Sequence, residues 1–323
     1  MWWVTKVSSD KVFVLDTVDW LEHEYTTSNV LRLKGVLGVD KGTIFPCFNL
    51  YRRYYGLHNV TVKGTHFDLM FTPTDITLIN TRGNFEGKVL VVPPIVTRIC
   101  EDAFYGIKVG TLDVSHFDTD KVINMSNMFA GCQAKNLDVS HFDTRGATNM
   151  YGMFWDCQTT ELDVSHFDTS HVTNMSRMFV DCRVTELDVS HFDTRQVTGM
   201  SGMFRGCRAT ELDVSHFDTS RVIYMNSMFR NCQVTELDVS HFDTSQATSM
   251  ACMFYGCQAK RLDVSHFDTS KVINMGCMFA GCQAEELDVS HFDISKVMYF
   301  SHIFMGYKGV IIGKERFPKE AFK

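Results

Sequence analysis

Residues 112–119 read LDVSHFDT, and the string returns at Leu137, Leu162, Leu187, Leu212, Leu237, Leu262 and Leu287, always 25 residues on; the final copy alone changes its last letter, to Ile294. Self-similarity at a fixed period near 25 residues marks a stacked repeat array, and it overrides the one or two domains that 323 residues alone would suggest. Residues 161–185, ELDVSHFDTSHVTNMSRMFVDCRVT, show how one unit is built. Leu162 and Val164 alternate with Glu161, Asp163 and Ser165, the pattern of a short half-buried strand. Phe167 follows as an apolar plug, and Asp168, Thr169 and Ser170 offer themselves as helix N-caps. Val172, Met175, Met178 and Phe179 fall at i, i+3, i+6 and i+7, which predicts one stripe of a short helix, closed by a turn that points Cys182 inward.

A repeat is therefore expected to be a strand, a corner and about two helical turns. No single unit can bury its apolar residues; parallel strands about 4.8 Å apart bury them by stacking. The fold class expected is α/β, a right-handed, leucine-rich-repeat-like solenoid. Four regions follow: residues 1–85, a non-repetitive, mixed N-terminal capping domain; 86–111, an atypical first leucine-rich-repeat unit; 112–311, eight repeats; and 312–323, a C-terminal cap or tail. Strand-like stretches in the first region are KVFVLDTV (11–18) and NVTVKGTHFDLMF (59–71), broken by turn residues.

Charge separates along the chain. Residues 1–98 hold 11 Lys/Arg against 9 Asp/Glu, and residues 99–323 hold 20 against 29, so the net −7 arises from about +2 and −9. An acidic array disfavours direct binding to nucleic acid, whose phosphates want the opposite sign. Seven of the 11 cysteines fall on the period, from Cys132 to Cys282, and read as reduced, buried thiols rather than a disulfide framework. The N-terminal residues lack the basic and then apolar segments of a signal peptide, and no apolar run reaches the length of a membrane helix. The expected location is the cytoplasm, with the cell surface or secretion as the alternative.

LDVSHFDTSKVINM, the following MF and GC, and their recurrence over residues 112–307 resemble the BspA-like leucine-rich repeat proteins, in particular the domain-of-unknown-function class written LDVSxFDTSxVTNMxxMFxxC. LVVPPIVTRICEDAFYG (90–106) resembles the related BspA-type unit, with Ile107 where that pattern has Cys. The resemblance implies a repeat solenoid that binds proteins, typically as a bacterial surface or secreted adhesin. This chain departs from the surface pattern in showing no signal peptide, wall-sorting tail or lipobox.

The repeated polar residues carry two readings. Asp113, Asp138, Asp163, Asp188, Asp213, Asp238, Asp263 and Asp288 line the outer side of successive strands, where like charges repel. Either neighbouring backbone amides hold them in a ladder, or they form an acidic stripe that meets a basic partner. The second row, from Asp118 through Asp143 and Asp168 onward, is explained by helix capping. The histidines, from His116 to His291, read as structural or surface residues, since one nitrogen per layer does not make a convergent metal site. Ser165, His166 and Asp168 cannot form a catalytic triad from one strand, whose successive side chains face opposite ways. No enzyme activity, cofactor or metal is expected.

The position after each MF varies: Ala130, Trp155, Val180, Arg205, Arg230, Tyr255, Ala280 and Met305. Three residues earlier stand Asn127, Gly152, Arg177, Gly202, Ser227, Cys252, Cys277 and His302, where Cys252 and Cys277 would be neighbours, as a disulfide or as two unpaired thiols. Trp, Arg and Tyr along one ridge are the residue types of interface hot spots. The candidate partner-binding residues are thus Trp155, Arg177, Arg205, Arg230 and Tyr255, with Asp138, Asp163, Asp188, Asp213, Asp238 and Asp263 of the acidic face. The expected function is a non-enzymatic protein-interaction module. The alternatives are a phage- or viral-type cytosolic inhibitor, an acidic decoy for a basic nucleic-acid-handling protein, and a surface adhesin. No direct nucleic-acid or membrane partner is expected, and exposed array edges could pair in a homodimer.

Overall fold

The structure, a computed structural model, describes the backbone of residues 98–323 except His116, the side chains from Ile99 onward, and seven strands of the N-terminal region. The chain divides into two compact units, Met1–Gly83 with Val92–Arg98, and Asn84–Val91 with Ile99–Lys323. In the first, β1 (Trp2–Val7), β2 (Lys11–Asp16) and β3 (Glu22–Thr26) form an antiparallel sheet in that order. β4 (Val60–Lys63), β5 (Phe67–Phe71) and β6 (Ile76–Thr81) form a second antiparallel run. β2, β4 and β5 lie within the two stretches whose alternation suggests strands; residues 17–18, 59, 64–66 and the 92–97 part of the atypical first unit lie outside the described residues.

The second unit is a stack of 25-residue layers held in register. β7 (Asn84–Val91) pairs in parallel with β9 (Lys108–Asp113), which follows the two-residue β8 (Arg98–Ile99), and β9 pairs with β10 (Asn136–Leu137). Between β10 and the last layers the strand expected in each repeat is not formed; single parallel bridges carry the ladder on, Asn136 to Glu161, Glu186 to Glu211 and Glu236 to Arg261. It ends where β11 (Glu286–Asp288) pairs with β12 (Val310–Ile312). A second ladder of parallel bridges runs through Asn124, Asn149, Asn174, Gly199, Tyr224, Ser249, Asn274 and Tyr299 without a break.

The stripe that the spacing predicts as a short helix is built differently. Among the described residues no α-helix forms; the helices are two short 3-10 segments, η1 (Lys314–Arg316) and η2 (Lys319–Phe322). Residues 176–181 instead make two consecutive turns, ended by Arg177 (φ 61°) and Asp181 (φ 52°) in the left-handed region. The reason lies in where the amides go. Met175, Arg177, Phe179 and Asp181 donate to the carbonyls of Gly199, Ser201, Met203 and Arg205 in the next layer, at 3.0, 2.8, 2.9 and 2.7 Å. The intervening Met178, Val180 and Cys182 close back on residues three earlier. Alternate amides thus bind sideways, where a helix would bind every one along its own axis. The apolar faces survive the change, because a left-handed residue every fourth position also returns Met175, Met178 and Phe179 to the inside, all fully buried.

The core consists of columns running through the layers. Phe104, Phe129, Phe154, Phe179, Phe204, Phe229, Phe254, Phe279 and Phe304 stack with centroids 5.6–5.9 Å apart and planes within 12°. A second column, from Phe117 to Phe292, packs tilted against the first. Each buried ring contributes roughly 2–3 kcal/mol of apolar burial. The periodic cysteines, from Cys132 to Cys282, form a further column, buried and free; burial pushes Cys182 and Cys232 each up to about 12.

Thr169 does not cap a helix. It is 1% exposed, and its hydroxyl donates to the Asp193 carbonyl of the next layer at 3.0 Å. Thr119, Thr144, Thr194, Thr219, Thr244 and Thr269 repeat the bond at 2.9–3.0 Å. In the last copy Ile294 takes this position and has no hydroxyl to donate. Beyond it the tail closes the stack. Glu320 and Ala321 supply carbonyls to His302 and Phe304 at 3.0 and 2.8 Å, while Phe322 stacks on Phe304 and Phe317 packs against Phe292.

Candidate partner-binding faces

The outer side of the ladder is acidic by construction. Alternation along each short segment buries Leu162, Leu187 and Leu212 and turns Glu161, Asp163, Glu186, Asp188, Glu211 and Asp213 outward, all exposed. Residues 160–163, 185–188 and 210–213 line a groove of about 860 Å³, with two carboxylates from each of three layers. Asp138, Asp238 and Asp263 extend the same exposed row at either end.

Local hydrogen bonds hold these carboxylates against their mutual repulsion. Asp163 accepts from the Ser165 amide at 2.9 Å, an Asx turn, and Asp138, Asp188, Asp213, Asp238 and Asp263 do the same with the serine two residues on at 2.9–3.0 Å. The Ser165 hydroxyl and amide keep Asp163 below the usual carboxylate range, while Asp138 in the preceding layer opposes more weakly. The corresponding serines act likewise on Asp138, Asp188, Asp213 and Asp263, and at Asp238 the Ser240 amide leads. The backbone ladder is thus local, within each layer, and the row remains a charged stripe as well. The second row makes the same turn: Asp168 accepts from the Ser170 amide at 2.9 Å and Asp218 from Ser220 at 2.9 Å. With no helix there, these residues cap a turn instead.

The ridge is more uneven than one variable row suggests. Ala130, Val180 and Ala280 are buried; Trp155, Arg230 and Tyr255 are half-buried; Arg205 and Arg177 are exposed. The Arg177 guanidinium lies over the rings of Trp155 and Tyr151 at 5.5 and 5.7 Å, and that of Arg230 over Tyr255 at 4.7 Å. Trp155, Arg177 and Arg205, with Ser201, Asn226 and Ser227, help line a pocket of about 220 Å³. Among the described residues the ion pairs are Arg145 with Asp143 and Arg195 with Asp193, so Arg177, Arg205 and Arg230 have no carboxylate partner there. The Arg230 Nε is buried without an acceptor.

Asp138, Asp163, Asp188, Asp213, Asp238 and Asp263 therefore come together on one face, and Trp155, Arg177, Arg205, Arg230 and Tyr255 along one edge. The glutamates at 161, 186 and 211 and the pocket-lining Ser201 and Asn226 are additions to the residues that sequence pattern selects, as is Tyr151 beneath Arg177. The ELD alternation signals the glutamates; nothing local signals the others, which are recruited by stacking.

The histidines are tied into the scaffold. The Nε2–H groups of His141, His166 and His191 donate to the carbonyls of Val114, Val139 and Val164 in the preceding layer, at 2.8, 2.9 and 3.0 Å. His141, His166, His191, His216 and His291 set their rings edge-on to the following phenylalanine at 5.1–5.4 Å. His116 lies outside the described residues. Among the described residues no group of three or more His, Cys, Asp or Glu is placed to hold a metal ion, and no helix is long and apolar enough to cross a membrane.

No curated protein and no solved structure matches the chain. A family model, described as a Mycoplasma protein of unknown function, DUF285, matches at residues 98–211, 181–292 and 237–310. These matches overlap, follow the repeats and together cover well over half of the 323 residues. The chain is a repeat protein of the DUF285 family.

Proposed function

We propose that the repeats form a solenoid that binds a partner protein through its arginine–aromatic ridge and its acidic face, with no chemistry performed by this chain. The observation that carries this reading is the state of the ridge arginines. In an array with an excess of about nine acidic charges, Arg177, Arg205 and Arg230 form no ion pair among the described residues, although Asp181 lines the same pocket as Arg177 and Arg205, and Arg177 and Arg230 lie over aromatic rings. Rigid aromatic anchors beside unpaired guanidiniums are what a protein interface uses as hot spots. The resemblance to BspA-like repeats points the same way, toward protein binding.

The acidic groove favours a second reading, a decoy that occupies the basic channel of a nucleic-acid-handling protein, with the cytoplasm as its place of action. Its layers present carboxylates at a fixed spacing of about 4.8 Å. An adhesin at the cell surface, the role the BspA-like resemblance implies, would use the same ridge against a matrix protein.

The test is capture by tagged chain from source cells at low and at about 0.5 M salt, where exposed charge pairs are screened. The wild type is compared with Arg177→Glu/Arg205→Glu/Arg230→Glu and with Asp163→Asn/Asp188→Asn/Asp213→Asn. Asparagine retains the Asx turn, so the second variant removes charge without removing the local structure. A protein held at high salt and lost from the arginine variant is the expected result. A basic partner lost at high salt and from the asparagine variant would establish the decoy. Capture of the same proteins by all three forms would overturn both.

A further inference from the structure

Cys252 and Cys277 stand on the ridge at the first left-handed position of successive layers, with φ of 56° and 58°. Their amides donate to Gly276 and Ser301 of the respective next layers at 2.8 and 3.0 Å, so their backbones are in register, one layer apart. Side chains along this row meet. A Cβ added to Gly152 would run into the Asn127 side chain, and one on Gly202 would lie 3.8 Å from Arg177 Cγ. In-register parallel neighbours are about 4.8 Å apart, inside the roughly 4.4–6.8 Å between Cα atoms that a disulfide spans.

Both thiols are free and half-buried. Cys257 and Cys282, a pair with the same layer separation in the core column, are 0% and 2% exposed. Spacing is common to the two pairs, and access separates them. We propose that Cys252 and Cys277 form a modification site, a dithiol that a small disulfide of the glutathione class oxidises to a bond across two layers.

One thiol loses its proton, and its sulfur attacks a sulfur of the reagent, whose S–S bond breaks. One glutathione leaves as a thiolate and takes up a proton. The second protein thiol, deprotonated in turn, attacks the protein sulfur of this mixed disulfide and expels the second glutathione. The two protein thiols give up two electrons and two protons; the reagent gains both and becomes two glutathione thiols. Burial and then Cys277 push the Cys252 thiol up, while Arg230 and Arg205 pull it back toward the reactive thiolate.

The folded chain is incubated with oxidised glutathione, alkylated without reduction, digested and read by mass spectrometry. Expected is one cross-linked species joining the Cys252 and Cys277 peptides, complete loss of alkylation at both, reversal by dithiothreitol, and no change at Cys257 or Cys282. Cys277→Ser, which places there the residue that Ser227 already has in this row, should stop at a single glutathione on Cys252. Both thiols left alkylatable, two separate glutathione adducts in the wild type, or cross-links between other cysteines would each overturn the proposal. None of these results depends on whether the ridge binds a protein.

Discussion

At the scale of the residue, each layer hands a hydroxyl to the next. Thr194 buries its side chain so that Oγ1 can donate to the Asp218 carbonyl at 3.0 Å, and Thr219 does the same for Asp243 at 2.9 Å. Thr194→Val keeps the shape and removes the bond, leaving a buried carbonyl short of a partner. It should cost about 1–2 kcal/mol, read from the midpoint of denaturant unfolding. Thr194→Ser, which keeps the hydroxyl, should cost less. Equal effects would contradict the inter-layer tie. The Asx aspartates set the acid limit. Their folded-state pKa values lie below the ordinary carboxylate value, so their contribution is present above about pH 4 and is lost as pH falls through the depressed values. The melting temperature, followed from pH 7 downward, should hold until about pH 4 and then fall; a decline that begins well above that would contradict the role given to the aspartates.

At the scale of the element, the inward–outward alternation and the inward Met, Phe and Cys positions were legible from spacing, while the strand expected over 161–165 comes down to a single bridge at Glu161. The double turn that stands in place of the expected helix was not legible. Apolar residues three and four apart are produced equally by two turns that each end in a left-handed residue. The sequence carried a hint in Gly131, Asp156, Asp181, Gly206, Asn231 and Gly256, residue types that tolerate positive φ. The companion row obscured it with Arg177, Cys252, Cys277 and His302. Asp-Thr-Ser likewise looks like a helix cap until the next layer is present to receive the threonine. The candidate site was half legible for the same reason: types and periodicity place Trp155, the ridge arginines and the Asp row, whereas Arg177 lying over Trp155 exists only once layers stack. A methyl group added at Gly202, φ 64°, would meet only ordinary contacts, so Gly202→Ala isolates the backbone cost, about 1–2 kcal/mol. At Gly313, φ 83°, a Cβ would also strike the backbone of Ser290. Gly313→Ala should therefore destabilise more, as measured by the same unfolding midpoints; a smaller loss than at Gly202 would contradict the packing of the tail.

At the scale of the whole repeat unit, one register does two jobs. It closes the backbone hydrogen bonds between layers, and it aligns equivalent side chains into an acidic groove on one face and arginines over aromatics along another edge. The ends are then the weak points, and the tail answers one of them with Phe317 and Phe322, one ring for each column. Phe317, 7% exposed, packs against both Phe292 and Phe304, so Phe317→Ala should cost about 3 kcal/mol. Its cost should fall mainly on the last layers, where thermal melting would show an earlier phase.

Native-state amide exchange tests the shared register most directly, because the two faces depend on it. The amides of Met150, Gly152, Phe154 and Asp156 donate to the carbonyls of Asn174, Ser176, Met178 and Val180, and those of Met200, Gly202, Phe204 and Gly206 to Tyr224, Asn226, Met228 and Arg230. The expected result is strong and similar protection of these amides in interior layers, lost together and falling off only toward the tail. Rapid exchange at 150–156 and 200–206, as isolated surface turns would show, would contradict the stacked array and remove the support for both binding faces.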